Sequence, residues 1–323
     1  MRITLTLLIW SVLGVGTASA QPYAYIANYD SDYVSIMDIS TNRVIATVSV
    51  GTRPEGVAVT PAGDFVYVAN SDGNNVSVIQ TSNKTVVDTV EVGVGPTGVA
   101  VTPGGEFVYV ANSGSANVSV IQTSDNTVVQ TVRVGNNPAG VAITPDGKFA
   151  YVANYSSNSV SVIQTSDNTV VATVNVGLRP EGVAVTPGGD SVYVTNSYVN
   201  TVSVIQTTDN TVVQTVRVGH TPVDVAVTLD GDSVYVTNGG DDTLSVIRTS
   251  DNTVVHTVVG VFSFPFGVAI TPFGAGEVNG SPGGGCSIAS STYSNTSFPM
   301  YLLIPGFILV ARLWRRRIYK KHT

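Results

Sequence analysis

The sequence predicts an all-β protein, a six-bladed β-propeller, and two observations lead to this fold. A unit of 42 residues recurs, and its first five copies each end a Val-rich segment with a glycine, at positions 51, 93, 135, 177 and 219. Each unit also holds four short apolar runs bounded by turn-forming residues, which is the pattern of β-strands. Four strands in ~40 residues, repeated along a chain, are typical of propeller blades.

The four strands of one unit can be placed individually. In residues 51–92 they are predicted at Gly56–Thr60, Phe65–Asn70, Val76–Gln80 and Thr85–Val92. We number them first to fourth from the central channel outward. No window places apolar residues at the spacing of an amphipathic helix, so all four runs are interpreted as strands.

The two ends of the repeat array are complementary. The chain starts its first repeat at the second-strand motif, "YAYIAN", and ends its last at a first-strand motif, "PFGVAITP". We therefore predict that residues 261–272 supply the first strand of the blade whose other strands come from residues 22–50. Such closure removes two exposed sheet edges, which would otherwise invite aggregation.

Two recurring small or polar residues have structural interpretations. The Asn that ends each second strand is expected to bond the turn that follows. The Ala two residues after the first-strand Gly, such as Ala142, is expected at the crowded propeller axis.

The "YVAN/YVTN" strand and the "NTVVxTVxVG" segment resemble the YVTN-type β-propeller repeat family, often described as surface-layer or cell-surface proteins. The resemblance covers roughly residues 22–272 and implies a propeller in an exported protein. Related propellers include lactone hydrolases, quinoprotein dehydrogenases and nitrite reductase domains. The fold alone therefore does not choose a chemistry.

The chain ends predict export and anchoring. Residues 1–20 are typical of a signal peptide with cleavage after Ala20, and residues 21–273 would form the propeller. A Gly/Ser-rich linker follows at 274–297 and carries Cys286, the single cysteine. Residues 298–323 combine a short apolar run with a basic tail, which is interpreted as a transmembrane or sorting segment.

The C-terminal pattern resembles bacterial sorting signals, which would make Cys286 a processing and anchoring point; the alternative is a linker thiol without a role. A single cysteine excludes an intrachain disulfide. All 22 acidic residues lie between 21 and 285, with only 8 of the 15 basic ones, and this acidity argues against nucleic acid as a partner. We expect a protein of the cell envelope, held at the membrane through its C-terminus.

The loops that enter the first strands and the turns after the second strands are predicted to share one face, because successive strands alternate in direction. These segments vary most among the repeats, and loops on a rigid scaffold commonly carry function. The candidate binding residues on this face are Arg53, Glu55, Arg179, Glu181, His220, Asp224 and Phe266.

Two interpretations of these residues remain open. In one, Glu55, Glu181 and Asp224 hold Ca²⁺ at the channel mouth and His220 acts as a base, giving a lactonase-like hydrolase. In the other, the Arg–Glu pairs lie on solvated loops and contribute about 0–1 kcal/mol each. The sequence contains no triad motif, phosphate loop or haem motif. We therefore expect no catalytic residue and no cofactor, and a non-enzymatic interaction or surface-layer module that binds a surface protein or a glycan.

Overall fold

The computed structural model describes residues 23–260, 265, 267–268 and 310–311, and these form six four-stranded sheets. The strands, numbered in chain order, are β1 (Tyr23–Asn28), β2 (Tyr33–Asp38), β3 (Arg43–Ser49), β4 (Pro54–Val59), β5 (Phe65–Asn70), β6 (Asn75–Gln80), β7 (Thr85–Glu91), β8 (Pro96–Val101), β9 (Phe107–Asn112), β10 (Asn117–Gln122), β11 (Thr127–Arg133), β12 (Pro138–Ile143), β13 (Phe149–Asn154), β14 (Ser159–Gln164), β15 (Thr169–Asn175), β16 (Pro180–Val185), β17 (Ser191–Asn196), β18 (Thr201–Gln206), β19 (Thr211–Arg217), β20 (Pro222–Val227), β21 (Ser233–Asn238), β22 (Thr243–Arg248), β23 (Thr253–Val258) and β24 (Val310–Ala311).

The predicted blades are confirmed. Five sheets are antiparallel runs of four consecutive strands, from β4–β7 to β20–β23. The first strands of successive sheets, β4, β8, β12, β16 and β20, lie beside one another, and so do the fourth strands. Each blade therefore runs from an inner first strand to an outer fourth strand, as predicted.

The core lies between neighbouring blades. Tyr109, Val118 and Val120 of one sheet pack against Val152 and Ile163 of the next, and all five are fully buried. Burial of each such aliphatic side chain contributes about 1.5–3 kcal/mol. The fold is therefore held together by contacts from blade to blade.

A hydrogen bond repeats at the outer part of these interfaces. In four blades the hydroxyl of the second-strand tyrosine donates to an Asn Oδ1 that lies 59 residues later, in the turn between the third and fourth strands of the next blade. The pairs are Tyr67–Asn126, Tyr109–Asn168, Tyr151–Asn210 and Tyr193–Asn252, at 2.5 to 2.8 Å. These Asn residues also have positive φ, so they serve both the turn and the blade interface.

The Asn that ends each second strand was predicted to bond the turn that follows, but its side-chain amide bonds side chains of the third strand instead. Asn112 Nδ2 donates to Asn117 Oδ1 at 2.7 Å and to Ser119 Oγ at 2.9 Å. The crowded inner position, however, is a glycine and not the alanine. A Cβ on Gly140 would lie 2.4 Å from the Glu181 carbonyl oxygen, whereas Ala142 is half-buried.

A C-terminal strand completes the N-terminal sheet, as predicted, but it is a different strand. β24 lies beside β1 with Tyr25 opposite Val310, and the two strands are parallel. The predicted segment was 261–272, and an antiparallel pairing was expected. An inner edge needs partners for its N–H and C=O groups, and either direction of pairing supplies them.

The described part of the predicted closing segment lies against the last complete sheet. Val268 packs on Tyr235, Leu244 and Val246. The rest of 261–272 lies outside the described residues, as do the predicted signal peptide, the linker and most of the C-terminal segment. Within the described residues, no helix has the length and apolar character needed to cross a membrane.

Candidate binding face

The loop face is the surface formed by the loops that enter the first strands and the turns that follow the second strands. In the blade of β4–β7, Ser71 N donates to Arg53 O at 2.9 Å and Asp72 N donates to Thr52 O at 3.3 Å. The same bond joins loop and turn in the following four blades, as Ser113–Gly95, Tyr155–Asn137, Ser197–Arg179 and Gly239–Thr221. The prediction that the two sets of segments share a face is confirmed.

Four entry loops, those before β4, β8, β16 and β20, are also bonded to a side chain of the preceding blade. Arg53 N donates to Asp32 Oδ1 and Arg179 N donates to Asn158 Oδ1, both at 2.9 Å. Arg53 and Arg179 have φ of 55° and 56°, a conformation that few non-glycine residues adopt. Because bonds from two blades hold this backbone, the direction of each Arg side chain is set by the scaffold.

Arg53 is engaged by a carboxylate. Its guanidinium lies 2.7 Å from Asp72 Oδ2 and 5.5 Å from the ring centre of Tyr29. Burial raises the pKa of Tyr29, the Glu55 carboxylate raises it further, and Arg53 lowers it. Glu55 is only 3% exposed, because it belongs to β4 and not to the loop. The interpretation of Arg53 and Glu55 as a solvated ion pair is therefore wrong.

Arg179 occupies the equivalent position three blades further on, but its neighbours are aromatic. Its guanidinium lies 5.6 Å from the ring centre of Tyr155 and 4.8 Å from that of Tyr198. Tyr198 stands where the Arg53 site has Asp72, and it is 59% exposed. Among the described residues, no carboxylate forms a salt bridge with Arg179.

His220 has a carboxylate partner that the sequence analysis missed. Its Nδ1 lies 2.5 Å from Asp241 Oδ1, and its backbone N donates to Asp241 Oδ2 at 2.6 Å. These two contacts, the backbone one first, lower the pKa of Asp241. The sequence feature that could have predicted this pair is its spacing of 21 residues. Residues at the same spacing are also bonded elsewhere on the loop face, where Val94 N donates to Ser115 Oγ.

The three candidate calcium ligands do not form one ligand set. Glu55, Glu181 and Asp224 belong to β4, β16 and β20, and the described residues contain no group of three or more metal-ligating side chains placed to hold an ion. Asp224 instead accepts a hydrogen bond from Val268 N at 3.1 Å, and so contacts the described part of the predicted closing segment 261–272. Phe266, Ala20 and Cys286 lie outside the described residues.

Solved structures support the propeller fold. Hydrazine synthase from Kuenenia stuttgartiensis is 23% identical with a TM-score of 0.63, covering 75% of this chain and 80% of that one. A protein of unknown function from Desulfotomaculum acetoxidans is 20% identical with a TM-score of 0.66, covering 73% and 79%. At these identities the likeness concerns the fold alone. A comparison with curated proteins found no match.

The family comparison identifies the repeats. The family described as "Lactonase, 7-bladed beta-propeller" matches residues 47–128, 80–182 and 125–218. The overlapping matches are what a 42-residue repeat produces, since each covers about two blades. Together they span 47–218, more than half of the 323 residues, so this chain, with six sheets in its described residues, belongs to the seven-bladed β-propeller lactonase family.

Proposed function

We propose that this protein is an exported β-propeller that acts at the cell surface as a non-enzymatic binding module, with the loop face as its binding surface. The observation that carries the proposal is the contact of the Arg179 guanidinium with the rings of both Tyr155 and the exposed Tyr198. Tyr and Arg are the residues that most often dominate binding energy at protein surfaces. The turns between third and fourth strands, on the opposite face, barely vary among repeats.

The cell-surface part of the proposal rests on sequence. The signal-like residues 1–20, the Gly-rich linker around Cys286, the basic C-terminal tail and the YVTN-type repeats support it. Deletion of 286–323 also removes β24 from the N-terminal sheet, so circular dichroism must first show that the shortened protein is folded. The folded, shortened protein should appear in the culture medium, whereas full-length protein should fractionate with cells. Continued association of the folded, shortened protein with cells would contradict anchoring through the C-terminus.

Lactone hydrolysis is the second candidate, because the chain belongs to a lactonase family and His220 is held by Asp241. In this mechanism Nε2 of His220 takes a proton from the water that attacks the lactone carbonyl, and Asp241 orients the ring. The acyl C–O bond of the lactone ring then breaks, and the imidazolium returns the proton to the departing alkoxide oxygen. The side chain is 69% exposed, so substrate and water can reach it. The carboxylates of the described residues do not supply a calcium site, so no step is assigned to a metal.

One experiment separates the two functions. Full-length protein is tested on arrays of extracellular proteins and glycans, and in parallel on a panel of lactones with Ca²⁺ and with EDTA. Array binding that is lost in Arg179→Ala but kept in Lys148→Ala, an exposed change on the opposite face, supports the binding module. Hydrolysis that is lost in His220→Ala, without array binding, would replace the proposal by the hydrolase.

A further inference from the structure

We infer that the Arg179 site recognises a carboxylate on an apolar protein segment, such as a Glu or Asp side chain flanked by a large apolar residue. The inference rests on the proposed binding function of the loop face and specifies its ligand. It is drawn from three features of the site: a preorganised cation, an internal comparison with Arg53, and an apolar surround.

The cation is preorganised. Arg179 N is fixed by Asn158 Oδ1, and Arg179 O accepts hydrogen bonds from both Ser197 N and Ser197 Oγ at 3.0 Å. Two tyrosine rings flank the guanidinium. Little conformational freedom is left to lose when a ligand binds, which favours affinity.

The Arg53 site shows which ligand this frame accepts. Its backbone makes the same bonds, to Asp32 Oδ1 and to Ser71, and its guanidinium pairs with the Asp72 carboxylate at 2.7 Å. At the second site Tyr198 replaces that Asp. The guanidinium thus keeps its setting and lacks a carboxylate from the described residues. A planar guanidinium pairs bidentately with carboxylates, so a carboxylate from another molecule fits here.

The surround of Arg179 is apolar, which favours a protein over a glycan. Leu178, Tyr198 and Val199 are 41%, 59% and 38% exposed. Tyr198 N donates to Leu178 O at 3.3 Å and Val199 follows Tyr198 in the chain, so the three residues are neighbours on the loop face. Protein interfaces concentrate Tyr, Arg and apolar side chains in this way, with few other charges at the centre. The hydroxyls of a sugar need hydrogen-bonding partners, which the exposed side chains of Leu178 and Val199 do not supply.

The test uses full-length protein and dye-labelled peptides that carry Phe-Glu-Leu or Phe-Gln-Leu in a neutral Gly/Ser frame, followed by fluorescence anisotropy. We expect the Glu peptide to bind more tightly than the Gln peptide by a factor of about ten or more, as expected for a hydrogen bond to a charged group. Tyr198→Asp reproduces the side chain of the Arg53 site, so it should fold normally and weaken binding by a similar factor. Arg179→Lys keeps the charge but loses the planar fork, and should weaken binding as well.

The reciprocal substitution, at the Arg53 site, tests the inference through the gain of a second peptide-binding site. Asp72→Tyr converts the Arg53 site to the Tyr–Arg–Tyr arrangement but leaves Thr52 and Gly73 where the Arg179 site has Leu178 and Val199. Calorimetry should therefore detect a second site for the peptide, weaker than the first. Equal binding of the Glu and Gln peptides, or no effect of Tyr198→Asp, would overturn the inference. Tighter binding of an acidic oligosaccharide than of the Glu peptide would overturn the choice of a protein ligand. If no peptide binds while array binding still depends on other loop-face residues, the inference fails and the proposed function stands. If no loop-face variant changes array binding, both fail.

Discussion

The hydroxyl of Tyr109 is the most direct test of how the blades are joined. The side chain is fully buried, and its hydroxyl donates to Asn168 Oδ1 of the next blade at 2.5 Å. Tyr109→Phe removes the donor without changing the ring. A hydrogen bond of this kind contributes about 0.5–1.5 kcal/mol net. Asn168 is half-buried, so water can partly replace the lost partner, and we expect the free energy of unfolding to fall by about 1 kcal/mol.

The chain contains a matched control for this substitution. Tyr25 is equally buried, at 2% exposure, but the position 59 residues later is Lys84 instead of Asn. Tyr25→Phe should therefore cost less than half as much as Tyr109→Phe. Urea unfolding followed by circular dichroism gives both midpoints, and unchanged slopes would show that only stability has changed. Equal losses in the two variants would refute the assignment of stability to the Tyr–Asn bond.

Three further predictions concern the same framework. Lys84→Asn supplies the missing acceptor and should raise stability by about 0.5–1.5 kcal/mol in urea unfolding; if the gain persists in a Tyr25→Phe background, it comes from the turn and not from the bond. Gly140→Ala places a Cβ 2.4 Å from the Glu181 carbonyl oxygen and should lower stability by about 1–3 kcal/mol, whereas Gly188→Ala meets mainly the flexible Asp190 carboxylate and should be nearly neutral in thermal unfolding. Burial raises the pKa of five second-strand tyrosines from 10.0 to about 12. Because the folded pKa is raised, their contribution to stability is complete below pH about 10 and is lost as pH rises toward about 12, so a urea midpoint that stays constant from pH 8 to 11.5 would contradict the burial of these hydroxyls.

The repeat made the fold predictable from the sequence. The contacts between repeats could not be predicted in the same way. The four runs predicted in 51–92 match β4–β7 to within two residues, and the largest difference is at the start of β4, which begins at Pro54 and not at Gly56. The Tyr–Asn bonds span 59 residues, and no local pattern in the sequence pairs them. The acceptor Asn recurs in the turns between third and fourth strands, where Asn is a common turn residue, so its presence did not indicate a contact between blades. The sequence shows that Lys84 stands where the other repeats have Asn. That this replacement removes the hydrogen-bond acceptor of Tyr25 follows only from the arrangement of neighbouring blades in the structure.

The sequence predicted which face of the propeller carries the candidate site. It did not predict which side chains the candidate residues contact there. Arg53 and Arg179 lie on the predicted loop face, in loops that enter first strands. Their neighbours Asp72 and Tyr198 come from the turns that follow the second strands of the same blades. Glu55 was expected in solvent because it follows Arg53 closely, yet the strand begins at Pro54 and carries it inward. The strand β24 was unpredictable for a similar reason, since its apolar sequence fits a membrane or sorting segment equally well.

The binding and hydrolytic proposals concern neighbouring parts of the loop face, and this proximity allows them to be separated. The turn that carries Tyr198 also carries Asn200, whose Oδ1 accepts a hydrogen bond at 3.0 Å from Thr221 N, next to His220. A ligand held by Arg179 would thus lie one blade from the His220–Asp241 pair. If the protein hydrolyses such a ligand, loss of the imidazole in His220→Ala lowers kcat, while Arg179→Ala chiefly raises KM. If the face only binds, His220→Ala leaves affinity unchanged, because the carboxylate-binding group is Arg179 and its frame is fixed by Asn158 and Ser197.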